Sequence, residues 1–283
     1  MAPALSDLQP QSAPKATAAA RTAIGDGLVA EAQAFADELA AWRHDLHQMP
    51  ELGNSLPQTS AYIQARLTEM DIPFATLVDG SCVVGLVGAG AAAAQGNGVC
   101  TNEQAGTVIM LRGDMDALPV AEESGESFAS TNGCMHACGH DMHATALLGA
   151  ARMLKAREAE LVDANATVKL LFQPGEETFE GARAAIADGL LQNPRPQVAF
   201  AMHVNSQSPL GLVLYGSPAL SGVYGFRITL QGKGGHGSSP EICIDPITAG
   251  VHVHLALQEL ISREVPAAKE VALTVLSLIH ISE

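Results

Sequence analysis

Apolar positions recur at helical spacing from Glu31 to Met49, where Phe35, Leu39, Trp42 and Leu46 form one stripe and Pro50 stops the run. A second helix is predicted over Gln58 to Met70, with Ile63, Leu67 and Met70 on its apolar face and Pro73 beyond its end. The period then changes. Val83 to Val87 and Thr107 to Arg112 are short apolar runs of the kind that form buried strands, separated by a Gly/Ala segment, Gly88 to Gly106, read as a lengthened loop. A loop from Gly113 to Gly139 leads into a helix over Asp141 to Arg157, a strand over Thr167 to Gln173, a helix over Glu180 to Ala187 and a strand over Gln197 to Val204. Strands alternating with helices predict an α/β sheet.

After Val204 the texture shifts. Gly211 to Tyr215, Val223 to Gln231 and Val271 to Ile281 read as strands around one helix, Asp245 to Arg263, which predicts a smaller α+β unit. The expected organisation is a flexible lead-in over residues 1–27, a larger domain over 28–205 and a smaller one over 206–283.

Composition narrows the function classes. The 283 residues are 47% apolar, enough for a sizeable core, and carry 15 Lys and Arg against 30 Asp and Glu. A net charge of -15 has the wrong sign for a protein that gains affinity by neutralising phosphates, so neither nucleic acid nor an anionic membrane is an expected partner. No apolar run is long enough to span a bilayer. Five cysteines at irregular spacing do not form a disulfide framework, and a reducing cytoplasm is the expected compartment.

Ten residues hold the densest chemistry. Cys134, His136, Cys138, His140, Asp141 and His143 offer thiols, imidazoles and a carboxylate of the kinds that borderline metal ions prefer. An ordinary polar loop and a structural zinc site are the plainer alternatives, although a structural site wants two well-separated ligand pairs. Three further elements stand at strand ends, where open α/β sheets hold ligands. Glu176 and Glu177 follow the strand that ends in Gln173-Pro-Gly; in an extended segment they would diverge, one toward a metal and one toward a water, though a solvated surface pair is the commoner role for such a dipeptide. His203 ends another strand, and Asp114 and Asp116 end a third, where Asp116 could orient a ligating imidazole. Two glycine patterns, Gly88-Ala-Gly90 running to Ala93 and Gly232 to Gly237, match dinucleotide fingerprints but lack the helix that such a loop must open.

Taken together, five strings resemble a known group. Trp42 to Gly53 (WRHDLHQMPELG), Gly113 to Pro119 (GDMDALP), Met135 to Asp141 (MHACGHD), Phe172 to Glu177 (FQPGEE) and Gly232 to Gly237 (GKGGHG) are similar to the aminoacylase and carboxypeptidase-like metallopeptidase superfamily. The branch resembled is that of amidohydrolases acting on hippurate and on auxin conjugates. The resemblance implies a mixed-sheet catalytic domain with a smaller dimerisation domain. It also implies hydrolysis of the amide bond of N-acyl amino acids with two divalent metal ions, Mn or Zn. By motif position, Cys138, His140, Glu177 and His203 would be metal ligands, Glu176 the general base and Asp116 a carboxylate behind the ligands. His236 would be a histidine of the smaller domain that reaches a partner subunit's site in a homodimer. The resemblance also implies a further ligating His in a segment after the smaller domain. Leu276 to Glu283 does not resemble the family and reads like translated adapter, so a truncated reading of a longer gene is expected, with His280 incidental. An inactive metal-binding fragment of such an enzyme is the alternative function.

Overall fold

The computed structural model describes residues 18–97, 100–215, 222–269 and 271–279. It divides into two compact units, Met1–Gln207 and Ser208–Glu283.

The first unit is built on a five-stranded mixed sheet in the order β1-β2-β4-β3-β5: β1 (Phe74–Leu77), β2 (Cys82–Gly88), β3 (Thr107–Asp114), β4 (Ala166–Gln173) and β5 (Val198–Ala201). β3, β4 and β5 are mutually parallel, whereas β2 is antiparallel to both β1 and β4. The antiparallel setting of β2 is not that of a parallel βαβ dinucleotide unit. In register, Asp114 faces Gln173 and Arg112 faces Ala201, so three strands end at one edge.

Alternation along β4 separates two cores. Val168, Leu170 and Phe172 face one side, where Trp42, Leu46, Ile63, Leu67, Leu147 and Leu148 cover them from three helices: α2 (Ala36–His47), α3 (Pro57–Glu69) and α6 (His140–Lys155). Leu171 faces the other side with Val84 and Met110, under Ala185 of α8 (Gly181–Ala187) and Leu190. Lys169 shares that side; its buried ammonium donates to the carbonyls of Leu190, Gln192 and Pro194 and so holds the chain between α8 and β5.

Several expectations need correction. Residues 18–27, assigned to a flexible lead-in, lie in helix α1 (Ala18–Ala34), while the rest of that lead-in is outside the described residues. The helix expected over Glu31 to Met49 is two helices, because Phe35 leaves helical backbone (φ -125°, ψ 26°) and sets its ring under Arg152, 4.6 Å from the guanidinium carbon. The Gly/Ala loop contains α4 (Ala89–Asn97) and α5 (Asn102–Ala105), followed by α7 (Glu158–Asp163) later in the chain. Four consecutive alanines have the highest helix propensity, and Thr101 with Gln104 forms a reciprocal capping box.

The second unit holds α9 (Pro246–Arg263), capped by the Asp245 carboxylate on the Ile247 amide, a 3-10 turn at Pro240–Ile242 and a bridge between Lys233 and Ile244. The three runs read as strands there form no strand among the described residues, with Tyr215 98% and Tyr224 94% exposed, and residues 280–281 of the third lie outside them. Strand-forming residues make a strand only when a neighbour supplies hydrogen bonds. His280 lies outside the described residues. Among the described residues, no helix is long and apolar enough to cross a membrane.

The chain's single tryptophan, Trp42, sits in the α2 core and reports on the first unit alone. Replacing Phe172, which is fully buried, with Ala should cost about 3–5 kcal/mol in urea unfolding followed by Trp42 fluorescence. A cost below about 1 kcal/mol would contradict this packing.

Candidate metal centre

β3 runs out at Asp114, and the next residues turn back on the strand edge. Met115 donates its amide to Gln173, Ala117 donates to the Glu51 carbonyl, and Leu118 exchanges two backbone hydrogen bonds with Met135. That exchange closes the 118–135 loop and returns Cys138, Gly139 and His140 to the end of β3. Gly139 stands at the N-terminus of α6 in left-handed conformation (φ 87°), and a Cβ there would lie 2.6 Å from Val204 Cγ2. Glycine therefore lets the Cys138 and His140 arm approach the segment that carries His203.

After β4, Pro174 and Gly175 form a tight turn. Gly175 has φ 61°, and a Cβ on it would meet Asn54 Oδ1 at 2.1 Å. Glu176 and Glu177 follow in a turn in which Phe179 donates its amide to the Glu176 carbonyl. The carboxylates were expected to diverge from an extended segment; in this turn they converge instead. Glu176 Oε2 lies 3.8 Å and Glu177 Oε1 3.7 Å from His140 Nε2, and Asp114 Oδ2 lies 3.7 Å from the same nitrogen.

His140 is held from behind. Its Nδ1–H donates to the Asp116 carbonyl at 2.8 Å, and Asp116 Oδ2 accepts the Glu177 amide at 3.0 Å. Asp116 thus orients an imidazole and a carboxylate with one residue. The Nε2 lone pair is left facing three carboxylates, a repulsive arrangement that either a proton on Nε2 or a cation among them relieves. Burial lowers the His140 pKa, but the hydrogen bond to Asp116 and the charges of Asp114, Asp116 and Glu177 outweigh it and raise it above its usual value. His140 Nε2, Glu177 Oε1 and Asp116 Oδ1 are buried without hydrogen-bond partners. His140 Nε2 and Glu177 Oε1 are of ligand type, and such orphans fit a cation between them, whereas Asp116 Oδ1 lies 3.4 Å from His140 Nδ1.

Cys138 Sγ lies 3.4 Å from His203 Nε2. Burial raises the thiol pKa to about 12, helped by the charges of Glu177, Glu176 and Asp114. Burial also raises Glu176, assisted by Asp114 and Glu177 and opposed by His140 and Arg112. Cys138, His140 and His203 form one group whose ligand atoms lie within 4.8 Å of one another, and His140, Glu176 and Glu177 form a second. Asp114, His140 and His143 meet the same distance limit, but His143 is already used: Nδ1 faces Asp114 Oδ1 at 2.5 Å and Nε2 accepts the Val204 amide at 2.9 Å.

The six first-unit residues singled out in the sequence, Asp116, Cys138, His140, Glu176, Glu177 and His203, therefore come together at one sheet edge. His236 belongs to the second unit, where its exposed ring accepts from the Ser238 amide at Nδ1. Cys134 and His136, part of the same dense string, join no candidate group among the described residues, and burial pushes His136 down to about 4. The bracing residues Asp114 and His143 were visible only as members of motifs. Their signal is a carboxylate at a strand terminus and a histidine one turn into the following helix.

The model of peptidase family M20/M25/M40 matches residues 110–271. The chain is 40% identical over 232 residues to IAA-amino acid hydrolase ILR1-like 4 of Arabidopsis thaliana, covering 81% of this chain and 48% of that protein. It is 35% identical over 245 residues to N-acetylcysteine deacetylase of Bacillus subtilis (strain 168), covering 86% of this chain and 60% of that protein. The chain thus spans about half the length of the curated relatives it matches. The crystal structure of the Bacillus subtilis YXEP protein, described as a dinuclear metal binding peptidase from the M20 family, superposes with TM-score 0.54 and 34% identity, covering 63% of this chain and 46% of that one.

Because a thiol raised to about 12 must lose its proton to ligate, metal uptake should tighten about tenfold per pH unit for each proton released. Zinc competition against a chelator of known affinity between pH 6 and 8 measures this. Uptake independent of pH would mean that Cys138 is not a ligand. The matched family model, the strand-end motifs and the shared fold lead to one conclusion: the chain belongs to peptidase family M20/M25/M40.

Proposed function

We propose that the protein hydrolyses the amide bond of N-acyl amino acids, releasing a carboxylate and the free amino acid, with two divalent metal ions, Mn or Zn. The observation that carries this reading is the convergence of Asp114, Glu176 and Glu177 on His140 Nε2, beside the Cys138 and His203 pair. A largely buried cluster of acceptors at the carboxyl edge of parallel strands, in which Arg112 pairs with Asp114 at 2.8 Å, suits a dinuclear hydrolytic centre. The relatives' names, an IAA-amino acid hydrolase and an N-acetylcysteine deacetylase, support amides of amino acids as the substrate class.

In this reading Cys138, His140, Glu177 and His203 hold the ions. When bound, the ions polarise the amide carbonyl and acidify a water. Glu176, half-exposed and held at a raised pKa, takes the water's proton on its carboxylate and returns it to the leaving amine. Asp116 keeps His140 and Glu177 in place through its carbonyl and Oδ2. The smaller unit is assigned the dimerising role, with His236 serving the partner subunit's site. Its Nδ1 accepts from Ser238, which leaves Nε2–H to donate to a developing oxyanion. Five free cysteines support a cytoplasmic location.

Glu176→Gln should retain metal and lose about 10²–10⁴-fold in turnover of N-acetyl or N-benzoyl amino acids, whereas Cys138→Ala should lose both. Unchanged turnover in Glu176→Gln would refute the base assignment. Metal binding by the parent chain without any turnover would favour the alternative, a metal-binding unit that is inactive by itself.

A further inference from the structure

The string from Trp42 to Gly53 carries charge that the proposed chemistry leaves unused. On α2, Trp42 and Leu46 point into the core, and the neighbouring pair Arg43 and His47, also one turn apart, lies against the start of α6. Arg43 Nε donates to Asp141 Oδ2 at 2.7 Å, and His47 Nδ1 meets the same oxygen at 2.8 Å. The Asp141 side chain is fully buried, and its Oδ1 has no partner.

The network continues outward from His47. Its Nε2 lies 3.1 Å from Glu122 Oε1, and Glu122 Oε2 accepts the Ser130 amide at 2.6 Å. Ser130 in turn donates its hydroxyl to the Cys134 carbonyl. Phe128, from the same loop, stacks on His44 at 3.8 Å and lies under Arg43 at 5.1 Å. One face of α2 therefore grips both ends of the segment that carries the metal-site cysteine: the 122–134 loop before it and the first turn of α6 after it.

Asp141 directly follows His140 on α6. Consecutive helical side chains diverge by about 100°, so anchoring Asp141 to α2 sets the rotation at which His140 faces the carboxylates. The first turn has no side-chain cap, because its N-cap is Gly139. Asp141 is buried against α2 and fixes the turn sideways.

We propose that Arg43 and His47 are positioning residues for the metal centre, acting through Asp141 to hold His140 and Cys138 at ligating geometry. The proposal rests on the metal-binding reading above and adds to it a determinant outside the ligand set.

The test uses Co²⁺ as the probe, with affinity from chelator competition and the thiolate-to-cobalt charge-transfer band as the signature of Cys138 ligation. Arg43→Met and His47→Ala should each weaken Co²⁺ binding by about ten- to a hundredfold and shift or weaken the band, with near-UV circular dichroism of the metal-free protein preserved. In an Asp141→Asn background, Arg43→Met should cost little more, because the group it acts through is already neutral. Tyr62→Phe, which removes a hydrogen bond from α3 to Asp45 on the same helix, should leave affinity and band unchanged. Glu122→Gln is the milder variant to use wherever a clamp variant does not fold, and it should weaken binding in the same direction. Affinity and band unchanged in the folded clamp variants would overturn this proposal alone. A parent chain that binds no Co²⁺ would overturn the metal-binding reading and this proposal with it.

Discussion

Three carboxylates aimed at one imidazole nitrogen are the constraint around which this edge of the sheet is arranged. Negative oxygens at 3.7 to 3.8 Å from a lone pair do not stay together by their own attraction. They are held by backbone and, at Asp114, by Arg112 and His143. The register of β3 on β4 puts Asp114 opposite Gln173, the Gly175 turn swings Glu176 and Glu177 back, and Asp116 ties His140 to the Glu177 amide. Below the cluster, Phe172 and Met115 fill the core, so the strand ends rest on close packing.

The surrounding charges are sorted by task. Asp114 is held low despite burial, because His143, Arg112 and His140 all face it, so it braces the cluster as a fixed anion. Cys138 and Glu176, by contrast, are raised by burial and by their acidic neighbours. A cation entering the cluster would offset that penalty for the groups around it. Glu122, further out, shows the opposite balance: burial would raise it, but hydrogen bonds from Ser124, Ser130 and His47 bring it down to about 2. Its stabilising contribution is present above the usual glutamate range and is lost as pH falls through about 2.

Much of this was legible in the sequence. The apolar runs that became β2, β3 and β4 are buried on both faces, and such strands read as continuous hydrophobic stretches. The ligand-type residues were legible because they stand where those runs end. β1 was not seen, since Phe74–Leu77 is four residues long with two of them exposed. The alanines of α4 carry no amphipathic stripe, so periodicity could not find that helix although propensity and the Thr101 capping box could. The apolar runs of the second unit have strand composition but no paired neighbour among the described residues. Arg43 and His47 escaped notice because a sequence does not reveal which charge on an amphipathic helix will be buried against a partner 98 or 94 residues away.

The central claim is that the acidic edge is a metal centre built on Cys138 and His140. The most direct measurement is the metal content of the purified 283-residue chain beside its Cys138→Ala variant, by elemental mass spectrometry after equilibration with Mn²⁺ or Zn²⁺ and removal of free ion. The account predicts two ions per chain in the parent and their loss in the variant. A folded parent chain that retains no metal would contradict it.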